Sequence, residues 1–180
     1  FRSPHHSASA ISLIGGGRIP KPGEISLAHR GVLFLDEFTE FPRQVMENLR
    51  QPLEDGVINI SRVMGTLAYP ARFILLAAQN PCPCGFATDP ERQCTCSPGQ
   101  VLKYQQKISG PIIDRIDMQI EVPRLKYEQL TSTKVAEGSD IIRQRVQQAR
   151  EIQQQRFKAL HLIYNSEMHP QEIKEFCQID

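Results

Sequence analysis

From Gly31 the chain carries a continuous apolar run, Val32-Leu33-Phe34-Leu35, closed by Asp36-Glu37. A short run with no alternation, bounded by glycine and acids, predicts a strand buried on both faces of a parallel sheet. A second such run, Phe73 to Ala78, ends in Gln79-Asn80-Pro81. Between them the period changes twice. After Pro42, residues Val45, Met46, Leu49 and Leu53 recur at helical spacing. Residues 57–69 then alternate and predict a hairpin turning near Met64-Gly65, closed by Pro70. Two buried strands separated by a helix predict a three-layer α/β sheet. Ser97-Pro98-Gly99-Gln100 spells a capping box and starts a helix running to about Ile108. Met118, Ile120 and Val122 alternate as a strand does, and Pro123 marks a boundary. Beyond it only helical periods remain. Asp140 caps a helix with Ile142, Val146, Ala149 and Ile152 on its apolar stripe. His169-Pro170 opens another, with Ile173, Phe176 and Cys177 inward. Before Gly31, serines, prolines and glycines break every period, so residues 1–30 read as loop-like, with short apolar pieces such as Ile11-Ser12-Leu13-Ile14 that could be strand or helix. The chain shows no internal repeat.

Composition narrows the class. The 180 residues are 40% hydrophobic and 23% charged, which excludes a disordered tail, a collagen-like fibre and a coiled coil. No apolar run is long enough to span a membrane, so no membrane partner is expected. The chain begins Phe1-Arg2-Ser3-Pro4, with neither Met nor an apolar leader, and reads as a piece of a longer one rather than as a signal peptide. Lys plus Arg is 21 against 20 for Asp plus Glu, a net charge of +1. Charge alone therefore predicts no nucleic-acid partner, and any such site must be local. Four of the five cysteines fall between Cys82 and Cys96, which points to a local site rather than a disulfide framework.

The chemistry concentrates at strand ends. Asp36 and Glu37 follow a buried strand as a Walker B pair does: Asp36 would hold Mg²⁺ and Glu37 would orient and activate the attacking water. Open α/β sheets bind ligands at that end of their strands. The plainer reading is a solvated acidic turn. Asn80 ends the next strand beside them and could hold the lytic water or the γ-phosphate; Asn-Pro also simply favours a turn. Arg115 lies between a helix end and a strand. It could act as an arginine finger, or pair with Asp114 or Asp117. Cys82-Pro83-Cys84 and Cys94-Thr95-Cys96 form two close thiol pairs that can close a tetrahedral Zn²⁺ site, against reduced thiols or a redox pair. His5 and His6 invite a metal reading, but with no partner at useful spacing they read as solvated or hydrogen-bonded loop histidines. Gly15-Gly16-Gly17 reads as flexible chain rather than a phosphate loop, because no Lys-Ser/Thr follows it. Residues 141–160 hold five basic residues and one acid, a solvated helix face or a DNA-facing stripe. Arg62, near the hairpin tip, is the better DNA candidate.

The order of Walker B strand, hairpin, strand-end Asn and Asp-Arg before a strand resembles an AAA+ ATPase. More narrowly, Phe1-Arg2-Ser3-Pro4-His5-His6, Gly23-Glu24-Ile25-Ser26-Leu27-Ala28-His29, Asn80-Pro81-Cys82-Pro83-Cys84-Gly85 and Ser109-Gly110-Pro111 resemble the magnesium-chelatase-like AAA+ proteins of the ComM/YifB type, over nearly the whole chain. The resemblance implies a P-loop NTPase core over residues 1–123 and part of an all-α lid over 124–180. It implies a cytoplasmic, hexameric ring that uses ATP and Mg²⁺ and acts on DNA, in branch migration during natural transformation. Asp36 and Glu37 become the Walker B pair, Asn80 sensor 1 and Arg115 a finger acting on a neighbouring subunit. Residues 1–30 become the helix-2 insert, and 57–70 the hairpin before sensor 1, both facing the central channel. Two departures stand out: no Gly-x-x-x-x-Gly-Lys-Ser/Thr occurs, and no sensor 2 arginine is supplied. These 180 residues alone are therefore expected to hydrolyse ATP weakly or not at all. The rival readings are a motor inserting metal into a tetrapyrrole, a transcriptional activator of the same clade, and a non-catalytic zinc-binding interaction module.

Overall fold

The computed structural model describes residues 1–62, 65–125 and 136–178, the side chains of Arg62 and Gly65 excepted. The chain divides into two compact units, Phe1–Arg124 and Leu125–Asp180.

In the first unit the segment before Gly31 holds more regular structure than a loop-like reading suggests, and of the two readings of Ile11–Ile14 the helix holds. Helix α1 (Ala10–Ile14) is capped by Ser9, whose side chain accepts from the Ser12 N–H. Strands β1 (Gly15–Gly16) and β2 (Lys21–Pro22) pair antiparallel, and α2 (Glu24–Leu27) follows. The glycines here are required by shape, not flexibility. Gly15 sits at φ 101°, and a Cβ on it would lie 2.4 Å from the Lys21 carbonyl oxygen and 2.7 Å from the Gly23 nitrogen. The apolar residues these turns expose to the interior, Leu13, Ile25 and Ala28, join the core.

β3 (Val32–Leu35) and β6 (Ile74–Ala77) pair in parallel, with Val32 opposite Ile74 and Leu35 opposite Ala77. Arg2 lies on the other edge of β3, donating to the Val32 carbonyl at 2.9 Å and accepting from Phe34 N–H at 2.8 Å. Between the two strands come a 3₁₀ turn (Phe38–Glu40), α3 (Arg43–Glu47), α4 (Arg50–Asp55) and the hairpin β4 (Val57–Arg62) with β5 (Gly65–Pro70). The single helix expected from Val45 to Leu53 is broken after Asn48. Pro52 explains the break: it has no N–H for the carbonyl four residues back, and its ring crowds that carbonyl. Val45, Met46 and Leu49 are nonetheless buried as the period required.

The sheet is not covered on both faces as expected. Leu33 and Leu35 are buried in the core with Phe38, Phe41, Ile58, Ile60 and Ile112. Each such side chain contributes about 1.5–3 kcal/mol by leaving water. On the opposite face Ile74 is 67% and Leu76 54% exposed, and Phe34 is covered in part by Phe1, stacked at 6.3 Å. The strand expected over Met118, Ile120 and Val122 is absent, and these side chains are at least 78% exposed. Alternation makes a strand only beside a hydrogen-bonding neighbour, and this segment pairs with none among the described residues. α5 (Pro98–Gln105) and α6 (Gly110–Ile113) complete the unit. The capping box at Ser97 and Gln100 is formed as its sequence predicted, though the helix ends at Gln105.

The second unit holds α7 (Ser139–Arg156), a 3₁₀ turn (Asn165–Glu167) and α8 (Pro170–Phe176). The cap of α7 is Gly138, with Asp140 inside the first turn and paired to Arg143, not capping. Its apolar stripe is open: Ile142, Val146 and Ile152 are all more than 40% exposed. Phe157 is buried and meets Phe176 edge-to-face at 5.8 Å. Ile173 and Cys177, expected inward, are exposed. No described helix is long and apolar enough to cross a membrane.

Candidate functional site

The parallel register of β3 and β6 sets the geometry. Asp36 lies one residue beyond the pair Leu35–Ala77, and Asn80 three residues beyond it on the neighbouring strand. Asp36, Glu37 and Asn80 are all exposed at one end of the sheet. Glu37 adopts the left-handed conformation, φ 51° and ψ 46°, which costs a non-glycine residue about 1–3 kcal/mol and persists only where its surroundings fix it. Those surroundings are visible. The Glu37 N–H donates to Asp36 Oδ1 at 2.9 Å. The Phe38 N–H donates to the Ala78 carbonyl at 2.8 Å, and the Ala78 N–H to the Leu35 carbonyl at 3.0 Å. Phe38 and Phe41 are anchored in the core beneath. The chain is therefore pinned on both sides of Glu37 while its carboxylate stays in solvent.

Of the two plain readings of the loop histidines, solvated or hydrogen-bonded, His6 takes the second. Its Nδ1 donates to Glu37 Oε2 at 2.9 Å, its ring lies 4.0 Å from that of His5 and it meets Phe41 edge-on. No periodicity announces this contact, because it depends on Arg2 docking along β3. Arg115 follows α6 and pairs with neither Asp114 nor Asp117. It forms an ion pair with Glu54 of α4 and donates to the Pro111 carbonyl, and its Nε is buried without a partner. Arg62 closes β4 opposite Gly65; its side chain and tip residues 63 and 64 lie outside the described residues.

The four cysteines converge. Cys82 is fully buried, with its Sγ 3.4 Å from Cys84 Sγ and 3.7 Å from Cys94 Sγ, and Cys84 to Cys94 is 3.5 Å. The four ligand atoms, Cys96 included, lie within 4.8 Å of one another. Backbone N–H groups of Phe86 and Thr95 draw the Cys84 thiol down to about 5. The backbone N–H of Cys96 acts to lower Cys94, yet burial and hydrogen bonds with the other thiols push it up to about 12. Burial raises Cys96 as well. One thiolate thus suppresses ionisation of its neighbours, and only a cation among them makes several thiolates compatible. The geometry and donor set suit tetrahedral zinc. Asp89 closes the loop between the pairs, accepting from the Glu91 and Arg92 N–H groups at 2.8 and 2.9 Å.

A buried polar link joins α5 to the turn after Glu37. Thr39 Oγ1 donates to the Tyr104 hydroxyl at 2.5 Å, and Lys107 Nζ stands 3.3 Å from both Glu40 carboxylate oxygens and 5.0 Å from the Tyr104 ring centre. Burial holds the Tyr104 phenol above its ordinary range. Sequence reading missed Tyr104, although the capping box already fixes it two turns into α5.

Comparison with known proteins identifies the family. The family model described as "Magnesium chelatase, subunit ChlI" matches residues 1–130, and that described as "Magnesium chelatase, subunit ChlI C-terminal" matches residues 136–180. The chain is 48% identical over its whole length to the competence protein ComM of Haemophilus influenzae, covering 34% of it. It is 47% identical over its whole length to the uncharacterized protein YifB of Escherichia coli K12, covering 35% of it. A protein of Mycobacterium tuberculosis, Rv2897c, is 44% identical over 93% of the chain. The chain therefore spans about a third of the length of the curated relatives it matches. On the family models and these full-length identities together, the chain belongs to the magnesium-chelatase ChlI-type family, as a fragment of the ComM/YifB type.

Proposed function

We propose that this chain supplies the hydrolytic part of an AAA+ ATPase that remodels DNA. The observation that carries the reading is the parallel register of β3 and β6, which delivers Asp36, Glu37 and Asn80 to one sheet end. Asp36 is an exposed carboxylate in reach of solvent, a suitable oxygen donor for Mg²⁺. Mg²⁺, when bound with ATP, neutralises charge developing on the phosphates. Glu37 orients a water and takes its proton, held in place by its pinned backbone and by His6. Asn80 positions the water or the terminal phosphate from the adjacent strand. Arg115 stands for a finger serving a neighbouring subunit of a hexameric ring, released from Glu54 in that assembly.

The rest of the reading follows the family. Residues 1–123 belong to a three-layer core and 124–180 to a helical lid. The β4–β5 hairpin, with Arg62, and the segment before Gly31 would meet DNA in a central channel. Supporting a competence-related role is the relative named as a competence protein. The four cysteines would hold one structural Zn²⁺, and the free thiols suit the reducing cytoplasm. The test is Glu37→Gln in the full-length protein. Stable ATP retention with turnover reduced by two orders of magnitude or more is expected from loss of the base. Undiminished turnover would overturn the assignment.

A further inference from the structure

We infer that the cysteine centre and Tyr104 form a brace that locks the two hydrolytic segments, Glu37–Thr39 and Ala78–Asn80, against each other, with Tyr104 as a positioning residue for hydrolysis. The contacts close a ring. From Glu37 the chain passes to Phe38, whose N–H bonds to the Ala78 carbonyl. Ala78 leads through Asn80 to Cys82, fully buried in the four-thiol cluster. The cluster holds Cys96, and Ser97 caps α5 immediately after it: the Ser97 N–H donates to Gln100 Oε1 at 2.8 Å, and the Gln100 N–H to Ser97 Oγ at 3.3 Å. Two turns along α5, the Tyr104 hydroxyl accepts from Thr39, two residues past Glu37. Thr39 is 2% and Tyr104 7% exposed, so the bond is made away from water, where leaving its partner unsatisfied is costly. One turn further, Lys107 repeats the attachment through Glu40.

Both ends of the ring thus hold the site. The cysteine end anchors the segment carrying Asn80. The tyrosine end anchors the turn that keeps Glu37 in its left-handed conformation. A metal among the thiolates would fix the loop of residues 82–96 as one rigid link, so its loss should be felt at Glu37 through α5. The kinetic consequence rests on the ATPase reading; the structural one does not.

The test uses the full-length protein, with Tyr104→Phe, Thr39→Val and Cys94→Ser, followed by amide hydrogen exchange, zinc content and ATP turnover. Tyr104→Phe keeps the ring and removes only the hydroxyl. It should leave zinc content unchanged, speed exchange at the Phe38 and Ala78 amides by about tenfold, the factor a lost buried hydrogen bond carries, and lower kcat while ATP KM holds. Thr39→Val should reproduce that pattern. Cys94→Ser, or stripping zinc with a mercurial, should speed the same amides and leave Ile58 and Ile60 of the hairpin protected. Unchanged exchange at Phe38 and Ala78 in Tyr104→Phe would overturn the brace, as would acceleration spread evenly over the unit. Should the wild-type protein lack turnover, the ATPase reading fails and the exchange result still decides the brace. Should it bind no zinc, the metal fails and Tyr104→Phe decides alone.

Discussion

Glu37 shows how a single residue can be tuned by neighbours the local sequence does not announce. Its place beside Asp36 at the end of a strand is legible from the run Val32–Leu35, because an apolar run closed by two acids must end where the chain meets solvent. Its left-handed backbone and its contact with His6 are not legible: the first depends on the Phe38 N–H reaching the Ala78 carbonyl of the neighbouring segment, the second on Arg2 docking beside β3. The histidine limits where an exposed carboxylate can point. His6→Ala in the full-length protein should therefore lower kcat by about tenfold through lost orientation, less than Glu37→Gln, with ATP KM little changed. Steady-state kinetics check this; a change confined to KM would place His6 in binding instead. Gly15 makes the same point for the backbone. Read as flexible chain, it is a fixed rung with no room for a Cβ beside Lys21 and Gly23. Gly15→Ala should cost about 1–3 kcal/mol for its backbone conformation alone, seen as a lower thermal midpoint. An unchanged midpoint would show that the β1–β2 rung is dispensable.

At the scale of elements, patterns that close on themselves were legible and patterns that need a partner were not. The hairpin over 57–70 and the capping box at Ser97 carry their own hydrogen-bond partners. The helix expected through Leu53 broke because Pro52 acts four residues upstream of itself. The strand over 118–122 needed a neighbouring edge, and the α7 stripe needed a covering surface. The loop of residues 82–96 is an intermediate case: thiol spacing suggested the cluster, while Asp89 emerged only from the structure. Two backbone N–H groups, from Glu91 and Arg92, hold the Asp89 carboxyl below its usual range, with Arg124 nearby at 3.4 Å. A depressed carboxyl stabilises the fold above its ordinary titration range, and that contribution disappears as pH falls through the lowered value. Asp89→Asn should therefore lower the thermal midpoint at neutral pH, with the gap to wild type closing below about pH 4. A gap independent of pH would mean that geometry alone, without charge, makes the contribution.

At the scale of the whole molecule, the site is laid out across elements that no single stretch of sequence describes. β3 and β6 meet in register, α5 returns to the turn after Glu37, and Arg115 is turned onto Glu54 of α4. That last contact separates two uses of the same guanidinium. Within one chain it is an ion pair holding α4 to the segment after α6. In the proposed ring it would exchange Glu54 for the phosphates of an adjoining subunit. The two uses differ in what a mixture of defective proteins does. Full-length Glu37→Gln lacks a working base but keeps its Arg115; full-length Arg115→Ala lacks the cation but keeps its Glu37. If Arg115 serves the adjoining subunit, some interfaces in a mixed ring combine an intact Glu37 with an intact Arg115, and turnover should appear where each variant alone has almost none. A loss of about 10³-fold from removing a finger leaves ample range to see that recovery. The thermal midpoint of Arg115→Ala must be measured beside it, because breaking the Glu54 pair also exposes a destabilised fold. Recovery in the mixture establishes a site shared between subunits. A mixture as inactive as its parts, from variants that fold and assemble, assigns Arg115 to the structural pair with Glu54 alone.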